Sequence, residues 1–339
     1  MRRRRWLQFS LSTILLLVTA LSLWLGVVVN RARKQRDAVA AIEKAGGGVA
    51  YDFQMSPSFP PPGKPPGPRW LRRMLGDEYF QSVYTANLNK AEISDDLLRH
   101  VGGQTSIRDL WLGNPAIGDR ELTFFSGLHQ LEWIDFTSHE VNRSNRQISL
   151  AGLRCLRHLP NFHTLRLPKS LIGDAGLAIV GEITTLNELT FEDASITDAG
   201  LMYLKSLSDL KVLSIIAPKV TNEGIEQLKD LTNLEQLGID QASITDRGFE
   251  SLRGMDKLRE LFVQTNSPGI SDAALEHLSG LTELEVLYII CPGDGITDAG
   301  LRRLKGLGKL KSVNILSRGV TEEGANELRQ AIPRCIFSF

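Results

Sequence analysis

The chain has 339 residues and carries 39 acidic and 39 basic side chains. Residues 1–36 hold eight Lys or Arg and no acid, so the rest of the chain has a net charge of −8. That acidic body argues against a nucleic-acid partner, which needs basic residues to neutralise phosphates, and three scattered cysteines (Cys155, Cys291, Cys335) without a C-x-x-C support neither a disulfide framework nor a cysteine metal site.

Arg2 to Arg5 precede Trp6, and an uncharged, apolar stretch runs from Leu7 to Val29. At about 1.5 Å per residue it spans roughly 34 Å, enough for the hydrocarbon core of a membrane. Trp6 and Trp24 stand toward its two ends, where interfacial aromatics are favoured, and Arg31, Arg33, Lys34 and Arg36 close it. A cleaved signal peptide is the alternative, with Val18-Thr19-Ala20 as the cleavage triplet. The apolar run continuing from Leu21 to Val29 favours an uncleaved anchor, since a cleaved signal turns polar after its site. Four basic residues on each side leave orientation undecided by the positive-inside rule. The short N-terminal tail favours an N-inside, single-pass insertion, with the body on the non-cytoplasmic side. Residues 1–30 are therefore expected to be a cytoplasmic basic tail and a transmembrane anchor.

Ala32 to Ala45 has helix-forming composition and is expected to prolong the membrane helix until Gly46-Gly47-Gly48 stops it. Val49 to Phe53 reads as a short strand. Gln54 to Arg69 contains seven prolines, an extended and semi-rigid stretch read as a loop or spacer. Trp70 to Leu75 reads as a helical turn and Val83 to Leu88 as a strand. Residues 31–90 thus comprise helix, Pro-rich linker and N-terminal cap, with residues 46–90 read as the cap, because a stack of repeats needs its first apolar face covered.

From Ile93 one phrase returns ten times, as I-S-D-D-L-L there, I-T-D-A-G-L at Ile196 and V-T-E-E-G-A at Val320. The other starts are Ile117, Ile148, Ile172, Val220, Ile244, Ile270 and Ile296, and the intervals run from 24 to 31 residues. A fixed period in this range means a solenoid, which overrules the two or three globular domains that length alone suggests. In the unit from Ile196, a helix is expected between Asp198 and Ser206 with Thr197 as its N-cap. The acidic column that follows the cap (Asp95, Asp119, Asp174, Asp198, Asp246, Asp272, Asp298) suits the positive end of the helix dipole. It is read as a local feature of each helix start rather than a row of metal ligands. An L-x-x-L-x-L strand follows, as in Leu234-Leu237-Ile239. Alternate residues point inward, so stacked strands form a curved parallel sheet on the concave side with helices outside. One unit alone would lose about 1–2 kcal/mol per residue in backbone order and regain about 1.5–3 for each of half a dozen apolar side chains, so only the stack is stable.

These phrases resemble leucine-rich repeats of the cysteine-containing type, known from the substrate-reading arms of F-box proteins. With the basic, apolar head they also resemble repeat arrays of bacterial, planctomycete-type membrane-anchored proteins. The resemblance covers residues 91–339 and implies an α/β solenoid used for protein binding. The chain departs from the subtype where it carries cysteine: Ser170, Ala194, Pro218, Ala242 and Arg318 stand there, so a polar ladder at that turn is expected to be lost. Nothing upstream resembles an F-box, which argues against a ubiquitin-ligase adaptor.

No catalytic, cofactor or metal motif is present. His100, His129, His139, His158, His163 and His277 form no H-E-x-x-H or other ligand spacing, and no G-x-S-x-G elbow, phosphate loop or dinucleotide fingerprint occurs. Asn142-Arg143-Ser144 matches a glycosylation acceptor, a pattern common by chance. Solenoids bind through surface-facing strand positions. By alternation these begin Asp109, Trp111, Trp133, Asp135, Thr164, Arg166, Glu188 and end Phe262, Val286, Tyr288, Ser312, Asn314. The expected partner is a protein or peptide, and the candidate contacts are Trp111, Trp133, Asp135, Arg166, Glu188, Phe262 and Tyr288. Trp111, Phe262 and Tyr288 are read as too far apart along the array to form one cluster. A polar loop at Glu140 to Gln147 accounts for the 31-residue interval. At the other end, Phe337 and Phe339 are expected to cover the last repeat, with self-association through that sheet edge as the alternative.

Overall fold

The computed structural model describes residues 11–54, 65–113, 117–136, 149–167, 173–193 and 195–338. Outside them lie Arg2 to Arg5, Trp6, the prolines from Pro57 to Pro62, the repeat starts at Ile148 and Ile172, His139, the Glu140–Gln147 loop with its glycosylation pattern, Ser170, Ala194 and Phe339.

One helix, Leu11–Lys44, opens the described chain. Its first part is apolar and exposed on all sides, from Ile14 through Trp24 to Val27. Among the described residues it is the helix long and apolar enough to cross a membrane, by length and composition. After Arg31 the same helix becomes amphipathic. Ala32, Gln35, Ala38 and Ile42 are buried at a spacing of three to four residues, the period of one helix face. Gln35 Nε2 donates to the Gln81 carbonyl (3.0 Å), and Gln104 Nε2 donates to the Lys34 carbonyl (2.8 Å). The prolongation beyond the apolar run is as expected. Its packing against the first repeat is a feature that composition had not revealed. Gly46, at φ +86°, ends the helix in a conformation that glycine adopts readily.

Twelve strands form one sheet in chain order: β1 (Gly48–Tyr51), β2 (Val83–Asn87), β3 (Asp109–Trp111), β4 (Trp133–Asp135), β5 (Thr164–Leu167), β6 (Glu188–Glu192), β7 (Val212–Ile216), β8 (Gln236–Asp240), β9 (Glu260–Gln264), β10 (Val286–Ile290), β11 (Ser312–Leu316) and β12 (Ile336–Ser338). β1 is antiparallel to β2, and every later pair is parallel. The register places Leu189, Leu213, Leu237, Leu261, Leu287 and Val313 side by side, each fully buried. Each repeat thus buries its neighbour's leucines, which is why the stack holds where one unit would not. The helix expected in the fifth repeat is one α-turn, Asp198–Leu201, continued as a 3₁₀ segment, Met202–Ser206.

The I-T-D-x-G-L phrase has an explanation in contacts between repeats. Thr197 caps its own helix by accepting from Ala199 N–H (3.3 Å). Its N–H and hydroxyl both donate to the Asp174 carboxylate of the repeat before, at 2.8 and 2.7 Å. Asp198 holds Thr221 in the same way at 2.7 and 2.8 Å, and Asp272 holds Thr297 at 2.7 and 2.7 Å. Asp119 with Ser149, Asp246 with Ser271, and Asp298 with Thr321 repeat the pattern. The glycine leaves room for it. A Cβ on Gly200 or Gly224 would collide with the Asp174 or Asp198 carboxylate. Ala274 occupies that column once, and Asp246 still reaches Ser271; nothing in the structure explains how the methyl is accommodated. The expected local role of the acidic column is therefore corrected: these carboxylates clasp consecutive repeats together. Where the next cap is Gly118, which has no hydroxyl, Asp95 pairs with Arg120 instead.

The polar ladder expected to be lost at the turn after the strand is interrupted, with Ala217 at the equivalent position of one repeat, but three polar side chains bond there one residue earlier than the cysteine position. Asp193 accepts from Gly173 N–H (2.9 Å) and Ser195 N–H (2.7 Å). Thr265 donates to the Ala242 carbonyl (2.6 Å), and Ser317 donates to the Ile296 carbonyl (2.8 Å). At the far end Phe337 is buried beneath the Arg329 guanidinium, which lies 6.0 Å from its ring centre.

Candidate functional site

The concave face of the sheet is built by alternation. Residues pointing away from the leucine core form rows that cross the strands. One row runs Asp109, Trp133, Thr164, Glu188, Val212, Gln236, Glu260, Val286, Ser312, and the next runs Trp111, Asp135, Arg166, Thr190, Ser214, Gly238, Phe262, Tyr288, Asn314. A third row was not anticipated: Glu192, Ile216, Asp240, Gln264, Ile290 and Leu316. Its signal was available, since the strand alternation continues one step past the last leucine of L-x-x-L-x-L.

The aromatic residues form two pairs. Trp111 and Trp133 lie on a diagonal of β3 and β4, with ring centres 6.0 Å apart and planes tilted by 45°. Phe262 and Tyr288 are directly opposed on β9 and β10, 6.2 Å apart at 43°. Both have the tilted geometry that aromatic quadrupoles favour. The three do not form one cluster, but the expectation that they lie too far apart along the array is corrected for Phe262 and Tyr288, which pack together, while Trp111 packs against Trp133. The Arg166 guanidinium lies 4.9 Å from the Trp133 ring centre and bonds to Glu188 Oε1 through Nη2 (2.6 Å) and Nε (3.0 Å). Trp111, Trp133, Arg166 and Glu188 therefore make one continuous patch across β3 to β6. The Trp133 indole N–H is buried without a hydrogen-bond partner, an uncommon condition for a buried donor.

Two expected surface positions are recessed. Asp135 is only 5% exposed and Thr164 only 7%, so neither presents its side chain to solvent, because the larger Trp and Arg side chains crowd that end of the sheet. Asp109 is half-buried beside them. Burial raises its carboxyl from 3.8 to about 6, against the Thr85 hydroxyl bond (3.2 Å) that lowers it, with Glu132 raising it further. The other end of the face is more apolar: Phe262, Tyr288 and Ile290 are partly exposed, and Leu316 is 46% exposed.

A ladder of charge borders the strands at their N-terminal ends. Arg108 pairs with Glu132 (2.5 Å), Lys211 with Glu235 (3.3 Å), and Arg259 and Lys311 both with Glu285. The two cations hold the Glu285 carboxyl down at about 2, Lys311 having the larger effect. Exposed pairs of this kind contribute little to stability. They do set a charged border around a less polar floor. Among the described residues, no three or more His, Cys, Asp or Glu side chains come together in a way that could hold a metal ion.

No family model matches the sequence, and no curated protein matches it. Solved structures do. The chain is similar to a leucine-rich repeat protein of Leptospira interrogans, with a TM-score of 0.51 and 16% identity over 71% of this chain and 57% of that one. The chain thus spans a little over half the length of that protein. Two Listeria monocytogenes internalins are also similar. Internalin F gives a TM-score of 0.47 and 18% identity over 70% of this chain and 69% of that one. Internalin C2 gives 0.43 and 20% over 67% and 86%. At these identities the likeness concerns the fold alone, and the first match carries it. Together with the in-register parallel strands and outer helices, it shows the fold to be a leucine-rich repeat solenoid.

Proposed function

We propose that the chain is a membrane-tethered interaction module that binds a protein or peptide on its concave sheet. One observation carries the reading: two tilted aromatic pairs, Trp111–Trp133 and Phe262–Tyr288, lie partly exposed on a face where repeat stacking does not call for them. Aromatic and Arg side chains are the usual anchors of interfaces, and solenoids bind along their concave side. Leucine-rich repeat folds serve generally as protein-interaction scaffolds, and a shallow, open sheet suits binding rather than catalysis. The apolar first part of the Leu11–Lys44 helix supports the tether, since leaving so many large apolar side chains in water is unfavourable. On this reading residues 7–29 span the bilayer once, residues 31–90 join anchor to array and close its first face, and the repeats lie on the non-cytoplasmic side. The I-T-D-x-G-L starts support placing the repeats in the cysteine-containing subtype, in the manner of planctomycete-type membrane-anchored arrays.

The test compares the detergent-solubilised full chain with a Trp133→Ala/Phe262→Ala variant as bait. The variant should lose partners that the parent recovers. Equal recovery of every partner removes the concave face from the proposal. A second reading, self-association, is favoured by the exposure of Leu316 (46%) and Ile336 (73%). Light scattering of the same preparation separates the two, because a protomer mass excludes self-association.

A further inference from the structure

The short helix Arg69–Leu75 has no role in the stack, yet its exposed face is unusual. Arg69, Trp70, Arg73 and Met74 are all exposed, Trp70 at 67% and Met74 at 68%. At 100° per residue they share one side of the helix, the two arginines adjoining the two apolar side chains. The inward side is fastened: Arg72 Nη1 bonds to Asp77 Oδ1 (2.9 Å). The segment just after it grips the N-terminal helix at the first turns beyond the apolar run. Arg36 approaches Glu78 (3.9 Å), Gln35 donates to the Gln81 carbonyl (3.0 Å), and Arg31 donates to the Ser82 hydroxyl (2.5 Å). Gly67 fixes the other end, because a Cβ there would press on the Phe80 ring. Residues 78–82 are therefore held beside residues 31–36, whose axial distance past Val29 is about 3–10 Å at 1.5 Å per residue, the depth of the headgroup layer, and Arg72 ties the helix to that segment through Asp77.

We infer that Arg69–Leu75 is a second membrane contact, which seats Trp70 and Met74 in the interface of the same bilayer that holds the anchor and brings Arg69 and Arg73 to lipid phosphates. The inference rests on the membrane-tether reading. Tryptophan favours that layer, and a basic-apolar helix face is the chemistry of an interfacial helix. Since the anchor helix runs unbroken into the array, a second attachment would fix the tilt of both against the bilayer.

The test uses the full chain in phosphatidylcholine–phosphatidylglycerol nanodiscs. Cys155→Ser removes the partly exposed thiol, leaving Cys291 and Cys335 buried. A fluorophore is placed in turn at Met74→Cys, at Val18→Cys in the middle of the anchor, and at Met202→Cys on an outer helix. Quenching by nitroxide lipids of shallow and deep position is then read. The expected result is deep quenching at 18 and shallow quenching at 74 several-fold above that at 202. Deep quenching at 18 with position 74 no more quenched than 202 overturns the interfacial contact and leaves the tether intact. No quenching at 18 overturns the tether, and this inference with it.

Discussion

The turn that opens each helix and the concave face belong to the same repeats yet behave as opposites. At the turn the columns largely repeat, because residues touch their counterparts one repeat away: Asp198 clasps Thr221, and Gly224 makes room for Asp198. On the concave face neighbouring strands carry Trp111, Asp135, Arg166, Thr190 and Ser214 in one row. Their carboxylates differ as well. Backbone and hydroxyl hydrogen bonds from Thr321 lower the pKa of Asp298, whereas burial raises Asp109 to about 6. The turn uses charge to hold the stack, and the concave face carries charge that the stack does not need. Repetition therefore marks contact between repeats, and variation marks surface that the stack leaves free.

The comparison can be broken most severely where the backbone itself is close. A Cβ on Gly181 would meet the Tyr203 carbonyl of the next repeat, so Gly181→Ala should cost about 1–3 kcal/mol, as overpacking does, measured by urea unfolding of the solubilised chain. Asp198→Ala removes two hydrogen bonds and leaves the Thr221 N–H unpaired, so a loss of about 2 kcal/mol is expected. A double-mutant cycle with Thr221→Val should show coupling of about 1 kcal/mol; additive losses would mean that the clasp does not act as a unit.

On the concave face the sign reverses. Because the folded pKa of Asp109 lies above the unfolded one, the folded protein keeps a proton that the unfolded chain releases between 3.8 and about 6. Its contribution is full below the lower value and is lost as pH rises through the upper. Asp109→Asn should then raise stability well above that range by about 1 kcal/mol, allowing for partial exposure, and change little below it. Asp298→Asn should act in the opposite direction, since the stability from its lowered pKa is present above the unfolded value and disappears as pH falls through the folded one. Melting curves across pH for both variants check the pair. Phe262→Ala should leave the fold intact, with only about 0.5 kcal/mol lost from the Tyr288 pair, although it removes one of the proposed binding anchors.

The fold was legible because the period, the N-cap column and the leucine spacing each report a local requirement that every repeat must meet. What pairs with what was less legible. Asp198 reads as a helix-start acid, since nothing in the string shows its carboxylate reaching Thr221, 23 residues on. Trp111 and Trp133 look distant in sequence although a parallel register sets them on one diagonal. Asp135 alternates outward as expected but is covered by its large neighbours, which a period-two pattern does not measure. The third concave row was missed because the repeat phrase ends at the last leucine while the strand continues.

The most direct test of the account is site-specific photo-crosslinking in cells that make this chain. A benzoylphenylalanine at Tyr288 on the concave face is compared with one at Met202 on the outer side. Adducts from position 288 and none from 202 are predicted. Adducts from 202 alone, equal adducts from both, or none from 288 would contradict the claim that the open sheet is where this protein makes contact.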